Sequence, residues 1–350
     1  MIILGIETSC DETSVAIVEN GHQVLSVATA SSEALHQKIG GIIPESAARE
    51  QLVGIIPVLE EALLLFQPQT DPRQTLEKID CLAITHGPGL IGSLLVGIET
   101  AKTLSMATGK PLIPVNHLEA HIFANWLEKK PDQFPKMPAL ALIASGGHTE
   151  LVLVKKKGKK YQFSFLGGTR DDASGECFDK CARVLDLGYP GGPAIAQSAQ
   201  EVPEKLINKA PFSLPRPMID QDVLDFSFSG LKTAVINQAQ KLQQKNLLNK
   251  EMKNFFAWEI QEAISDCLVI KTIQASKRYP IRSLLLGGGV TANRVLREKF
   301  QKKAKELKLD LFIPKVSFCT DNGIIIGAAG YFNYQPLPWE KVIAQPSLRF

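Results

Sequence analysis

Apolar and polar positions follow two periods along this chain, and the switches between them mark its elements. Residues 2–18 read as an apolar strand, a polar turn (Thr8, Ser9, Cys10, Asp11, Glu12, Thr13, Ser14) and a second strand from Val15 to Val18. The same pattern returns at residues 139–154: the apolar run ALALIA, a turn of Ser145, Gly146, Gly147, His148 and Thr149, then ELVLV. A short turn rich in glycine and hydroxyl groups brings backbone N–H groups close to a ligand and suits a phosphate. Two such hairpins, each opening a comparable α/β segment, predict an internally duplicated protein with facing lobes.

The remaining segments alternate in the α/β manner. Residues 44–66 predict a helix, broken or kinked at Pro57. The strand CLAIT, the turn His86-Gly87-Pro88-Gly89, a helix over residues 93–107 and the strand PLIPV follow. The second half predicts a long helix over residues 253–277, the strand SLLLGGG, a helix from Ala292 and the strand LFIP. A last helix over residues 323–332 returns to the first lobe. The expectation is an α/β fold with residues 1–124 and 320–350 in the first lobe and 125–319 in the second.

Composition narrows the class. A chain of 350 residues exceeds one comfortable core, and 45% hydrophobic with 21% charged residues excludes a disordered protein. The formal net charge of +3 is too small to argue for a nucleic-acid partner. The clusters Lys155, Lys156, Lys157, Lys159, Lys160 and Lys302, Lys303, Lys305, Lys308 read first as solvated faces. Six cysteines without a CxxC pair fit the reduced thiols of a cytosolic protein. The opening MIILGIETSC lacks a basic segment, and Glu7 interrupts its apolar run, so it reads as a strand and not as a signal peptide. No apolar stretch approaches the roughly 20 residues of a membrane helix. A cytoplasmic location without a membrane partner is expected.

Candidate chemistry concentrates in a few segments. In Asn116-His117-Leu118-Glu119-Ala120-His121, Asn116 and Glu119 have capping-box spacing, which predicts a helix start. His117 and His121 then project from one face a turn apart, as two imidazoles on one metal or as a buried hydrogen-bonded pair. At about 100° per residue, Glu119 points away from both, unlike the water-activating glutamate of an HExxH metallopeptidase. The run Gly287-Gly288-Gly289, ending a strand and opening a helix, suits close approach to a flat or anionic ligand, or a generic tight turn. No loop matches the P-loop or Rossmann pattern. Asp171 and Asp172 read as an exposed acidic helix start. Asp179 lies in an apolar context, where a carboxylate needs a specific partner. DFSFSGLKT reads as a strand running into a helix cap.

Taken in order, GIETSCDETSVAIV, GGIIPESAAR, HGPGLIGSLLVG, NHLEAH, ASGGHTELV, DDASGECFDK, YPGGP, DFSFSGLKT, GGGVTANRVLR and CTDNG resemble the motif series of the tRNA adenosine threonylcarbamoyltransferase (TsaD) family, over residues 2–329. The resemblance implies two duplicated actin-like (ribonuclease-H-like) lobes with a nucleotide cleft between them. It implies a divalent metal on His117, His121 and Asp321, iron first, with zinc or magnesium as alternatives. It further implies that Ile143, Ala144, Ser145, Gly146 and Gly147 cradle the phosphate and acyl end of the substrate. Asp179 and Gly192 would meet the ribose, and Asn293 the adenine side. The implied substrates are threonylcarbamoyl-AMP, which releases AMP, and tRNA. The implied partners are a smaller actin-like paralogue (TsaB-like) and a P-loop ATPase (TsaE-like). Asp11 and Glu12 are the candidate bases. One departure stands out: Ser46 and Gln51 occupy positions where relatives carry leucine and histidine.

Overall fold

The computed structural model describes residues 1–32 and 43–350, so Gly40, Gly41 and Ile42 of the GGIIPESAAR motif lie outside the described residues. Strands β1 (Ile2–Glu7), β2 (Glu12–Glu19) and β3 (Gln23–Ser31) form an antiparallel meander. Helices α1 (Pro44–Phe66) and α2 (Pro72–Glu77) lead to β4 (Cys81–Gly87), α3 (Ile91–Thr108), β5 (Leu112–Asn116) and α4 (His117–Phe123). A second meander follows in β6 (Ala139–Ala144), β7 (Thr149–Lys157) and β8 (Lys160–Gly168). Helices α5 (Ser174–Leu185), α6 (Gly191–Gln200), α7 (Glu204–Asn208), α8 (Ser229–Gln244) and α9 (Lys250–Arg278) come next. The chain continues through β9 (Ser283–Gly287), α10 (Arg294–Leu307), β10 (Asp310–Phe312) and α11 (Gly323–Phe332).

The strands make two five-stranded sheets, ordered β3-β2-β1-β4-β5 and β10-β9-β6-β7-β8. Counted from its own first strand, each sheet has the order 3-2-1-4-5. β1 pairs antiparallel with β2 and parallel with β4, and β6 pairs antiparallel with β7 and parallel with β9. The duplication announced by the two hairpins is therefore a duplication of topology. The first compact unit comprises Met1–Pro135, Lys155–Phe163 and Pro314–Phe350, and the second Lys136–Val154 and Ser164–Ile313.

In the first unit, Leu4 and Ile6 of β1 with Val15 and Ile17 of β2 face α1 and α3, burying Ile55, Val58, Leu59, Leu94 and Ile98. Each such side chain contributes about 1.5–3 kcal/mol of burial free energy. The opposite sheet face meets α11, which is buried on every side from Gly323 to Gly330. That approach requires glycine, since a Cβ on Gly5 would lie 2.2 Å from Gly323 O and 2.5 Å from Gly327 N. In the second unit, Leu140 and Leu142 of β6 pack with Phe178 of α5 and Ile260 and Ile264 of α9. Among the described residues no helix is long and apolar enough to cross a membrane.

Three local expectations change. The helix over residues 44–66 continues through Pro57, which lies on its exposed face, where water can donate to the carbonyl that proline leaves without an N–H partner. The helix expected from Ala292 is preceded by a 3₁₀ turn, Gly289–Ala292, and starts at Arg294 because Asn293 caps it. The LFIP strand shortens to Asp310–Phe312.

Candidate functional site

β5 ends at Asn116, whose side chain accepts a hydrogen bond from Leu118 N at 2.9 Å and starts α4. Glu119 does not complete the expected capping box. Its Oε2 accepts from Asn333 Nδ2 at 2.8 Å instead. Burial pushes the Glu119 carboxyl up to about 7, against the pull of that hydrogen bond. It is committed to Asn333 at the end of α11.

The one-turn spacing brings the His117 and His121 rings to 4.6 Å between centroids, at an interplanar angle of 77°. Asp321 arrives just before α11, where Asn322 Oδ1 accepts from Ile324 N and Ile325 N at 3.0 and 3.1 Å and fixes the helix start. Asp321 Oδ1 then lies 3.4 Å from His117 Nε2 and 3.2 Å from His121 Nε2. Ligands held about 2.0–2.2 Å from one cation sit about 3.0–3.5 Å apart, so these spacings fit a shared ion. His121 is fully buried; among the described residues neither ring nitrogen has a well-aligned hydrogen bond, and Nε2 has the Asp321 carboxylate as its near neighbour. Two polar atoms so placed in the interior are costly, and a metal ion would satisfy one of them. Among the described residues, these three form the group that could hold a metal ion.

A second layer orients the first. Glu7, fully buried at the end of β1, lies 3.1 Å from His117 Nδ1 and accepts from Thr85 Oγ1 at 2.6 Å and from Ser9 N. Burial alone would lower the His117 imidazole, but Asp321 and Glu7 hold it well above its ordinary value. Burial likewise would raise Asp321, and the two imidazoles bring it well below the usual carboxylate range. On the turn between β1 and β2, burial with Asp11 and Asp321 nearby pushes Glu12 up to about 10. A divalent cation beside it would act in the opposite direction. Burial and the same carboxylates raise the Cys10 thiol well above its ordinary value.

That turn is fastened from outside. Gln51, 1% exposed, aims Nε2 at Cys10 O (3.0 Å), Glu12 O (3.1 Å) and Thr8 O (3.4 Å). Ser93 Oγ donates to Cys10 O at 3.1 Å, and Leu90 N to Ser9 O at 2.8 Å. The sequence reading passed over Glu7, Ser9 and Thr85 as supports of the histidines. The available signal was a glutamate set inside the apolar run GIE.

The second unit gathers the other expected residues. Ile143 and Ala144 are buried at the end of β6. Ser145 closes the following turn: its N donates to His148 O at 2.8 Å and its Oγ accepts from His148 N at 3.2 Å. The start of α5 is pinned to this turn, with Gly175 N donating to Ser145 O and Glu176 N to Gly146 O. Around Gly146 and Gly147 the space is open, as it is around Gly192. Asp179 Oδ1 accepts from Gly191 N at 2.7 Å, supplying the partner its apolar context demands. Gly288, at φ +89°, packs so closely on Ala144 that a Cβ would fall 2.5 Å from its carbonyl oxygen. Asn293 accepts from Leu296 N at 3.1 Å and donates to Gln261 Oε1 at 2.8 Å. The phosphate-type turn, the glycine run and the start of α5 thus meet at the C-terminal end of β6.

Asp171 and Asp172 do more than begin a helix. Asp171 accepts from Phe228 N (2.8 Å), Ser229 N (3.2 Å) and the Ser227 and Ser229 hydroxyls, capping α8. Asp172 is paired with Lys180 and Lys232, each at 2.7 Å.

Two solved structures share the fold at low identity. HypF in its phosphate- and nucleotide-bound form matches with TM-score 0.58 and 14% identity, over 95% of this chain and 46% of that one. Component A of the (R)-2-hydroxyglutaryl-CoA dehydratase of Acidaminococcus fermentans matches with TM-score 0.50 and 13% identity, over 98% and 99%. They carry the architecture alone, and it is the actin-like one expected. The family model of tRNA N6-adenosine threonylcarbamoyltransferase matches residues 23–328. The tRNA N6-adenosine threonylcarbamoyltransferase of Staphylococcus haemolyticus (strain JCSC1435) is 45% identical over 334 residues, 95% of this chain and 92% of that protein. The chain belongs to the tRNA N6-adenosine threonylcarbamoyltransferase family.

Proposed function

We propose that this protein transfers the threonylcarbamoyl group of threonylcarbamoyl-AMP to the exocyclic amine of the adenosine 3′ of the anticodon, in tRNAs reading codons that begin with A. The observation that carries this reading is the group of two buried histidines, His117 and His121, with the half-buried Asp321, in a chain of this family. Two imidazoles and a carboxylate suit iron or zinc better than magnesium, which prefers oxygen ligands throughout. Bound there, the cation supplies a Lewis acid for the phosphate or carbonyl oxygen of the adenylate.

The protein's own groups do the rest. Backbone N–H groups of the open Gly146–Gly147 turn receive the phosphate. Asp179 and Gly192 receive the ribose, and Asn293 lies on the adenine side. The amine's nitrogen forms the new bond to the carbamoyl carbon as the bond from that carbon to the phosphate oxygen breaks, and AMP leaves. AMP is a good leaving group, so holding the amine about 3–3.5 Å from the carbon is the main task. The proton shed by the amine passes to a carboxylate of the β1–β2 segment, Asp11, or Glu12 when a cation bound beside it keeps it ionised.

The protein works in the cytoplasm with a smaller actin-like paralogue and a P-loop ATPase. The apolar side chains left exposed on α1, Leu52, Val53 and Ile56, support a protein partner for the first unit.

The test is transfer of labelled threonylcarbamoyl from the preformed adenylate to an unmodified A-decoding tRNA. It is run with and without both partners, for wild type and His117→Ala. Product from wild type and none from the variant supports the transferase. No product in any combination, with the adenylate intact and the protein folded and metal-loaded, removes it.

A further inference from the structure

The turn joining β7 to β8 is the most basic stretch of the chain, and it sits over an aromatic cavity. Lys155, Lys156, Lys157, Lys159 and Lys160 are all exposed, and among the described residues none of them makes an ion pair with a carboxylate. Gly158, at φ +62°, lets the strands reverse within two residues, so the lysines crowd around one tip. Clustered like charges repel and favour an anion that can bridge them.

Within the first unit, a cavity of about 610 Å³ is lined by His22, Phe134, Tyr161, Tyr331 and Phe332, with Lys156 and Lys159 contributing the charge and no carboxylate in the lining. Its rings mesh edge to face. Phe134 stands at 87° to Phe332 with 5.5 Å between centroids, and at 66° to His22 with 5.7 Å. Lys156 Nζ lies 5.1 Å from the centre of the Tyr161 ring. The volume is in the range that holds a nucleoside-sized group. The turn carries no apolar residue at its tip to enter a membrane. An acidic peptide would meet the lysines but make no use of ring faces. A nucleic-acid strand uses both, through phosphates on lysines and a base on the aromatic side chains.

We infer that the β7–β8 turn and the aromatic cavity beneath it form an RNA-docking surface, the lysines tracking phosphates while one unstacked base enters among Phe134, Tyr331 and His22. The inference rests on the tRNA substrate proposed above and adds where that RNA is held.

Binding of labelled, unmodified A-decoding tRNA to the full-length protein tests it, measured across a range of salt concentrations. In one variant Lys155, Lys156, Lys157, Lys159 and Lys160 are all changed to Gln. In the control Lys302, Lys303 and Lys305 of α10 and Lys308 just after it are changed to Gln, lowering the net charge elsewhere. The turn variant is expected to bind at least about tenfold more weakly. Its plot of log affinity against log salt should be shallower by about 0.7–0.9 for each phosphate that is no longer neutralised. The control should stay within about twofold of wild type. Phe134→Ala should weaken binding without changing the salt slope. Equal losses in both lysine variants, or an unchanged slope in the turn variant, would overturn the docking surface. So would loss of an acidic protein partner from the turn variant with tRNA affinity intact. Wild type that neither binds nor modifies tRNA removes the transferase reading itself; wild type that modifies tRNA beside a turn variant of equal affinity removes only this surface.

Discussion

Glu7 Oε2 lies 3.1 Å from His117 Nδ1, and the carboxylate has no exposed surface. The pairing leaves Nε2 of the same ring toward Asp321, so the buried glutamate decides which nitrogen is offered to a cation. Glu7→Gln keeps the shape and removes the charge. It is expected to lower metal affinity about 10–100-fold, the usual effect of losing such a support. Competition against a chromophoric chelator measures this, and an unchanged affinity would deny Glu7 that role.

Removing the metal should cost stability. A cation at about a hundred times its dissociation constant adds about 2.7 kcal/mol to the folded state. Chelation should therefore lower the melting temperature of wild type and leave His121→Ala unmoved. An equal shift in both proteins would place the ion elsewhere.

Gln51 fastens the β1–β2 turn through three carbonyls with one amide group. Gln51→Leu leaves those carbonyls against an apolar side chain, at an expected cost of about 2 kcal/mol. Transfer activity should fall further than stability accounts for, because Asp11 and Glu12 ride on the turn. Gln51→His retains a donor and should recover part of both. A leucine variant as stable and active as wild type would contradict this, by urea denaturation together with the transfer assay.

The cap on α8 gives a pH dependence. Burial alone would raise Asp171, but hydrogen bonds from the Ser227 and Ser229 hydroxyls and from Phe228 N and Ser229 N bring it below its ordinary value. The folded state thus binds this proton less readily than the unfolded chain. Its stabilisation is present above about pH 4 and is lost as pH falls through the lowered folded value. Asp171→Asn should destabilise by about 1 kcal/mol at neutral pH, as a lost cap does, and by less in acid. A gap between variant and wild type that stays constant on acidification would refute the assignment.

Gly5→Ala should separate β1 from α11, since the added carbon would fall 2.2 Å from a backbone oxygen. Overpacking of this kind costs about 1–3 kcal/mol. Metal affinity should fall as well, because Asp321 sits at the start of that helix. Calorimetry on metal-free protein and a metal titration separate the two effects.

The strands and helices were legible because their apolar periods are strong, and the histidine pair because a one-turn spacing is geometric. Asp321 was reached only through the motif resemblance. Nothing local to CTDNG says that α11 will carry it to α4, since that follows from Gly5 and Gly323 admitting the helix to the sheet. Glu119 misled as a capping-box partner, because Asn333 competes for it from a helix far away in sequence. Gln51 stood out only as a departure from the family pattern, and its three carbonyls became visible only when the β1–β2 turn and α1 were brought together. Local pattern predicts elements well, whereas the partners of buried polar groups are settled by tertiary packing.

The order in which the ligands leave the ribosome follows from where they lie in the chain. His117 and His121 emerge with the first unit, whereas Asp321 comes after the whole of the second unit has been made. Of this group a growing chain presents the two imidazoles first, and Asp321 only when α11 is released and can seat against β1. The three-residue group is thereby complete only once Asp321 has emerged, and a product truncated before it that folds its first sheet is left without the complete set.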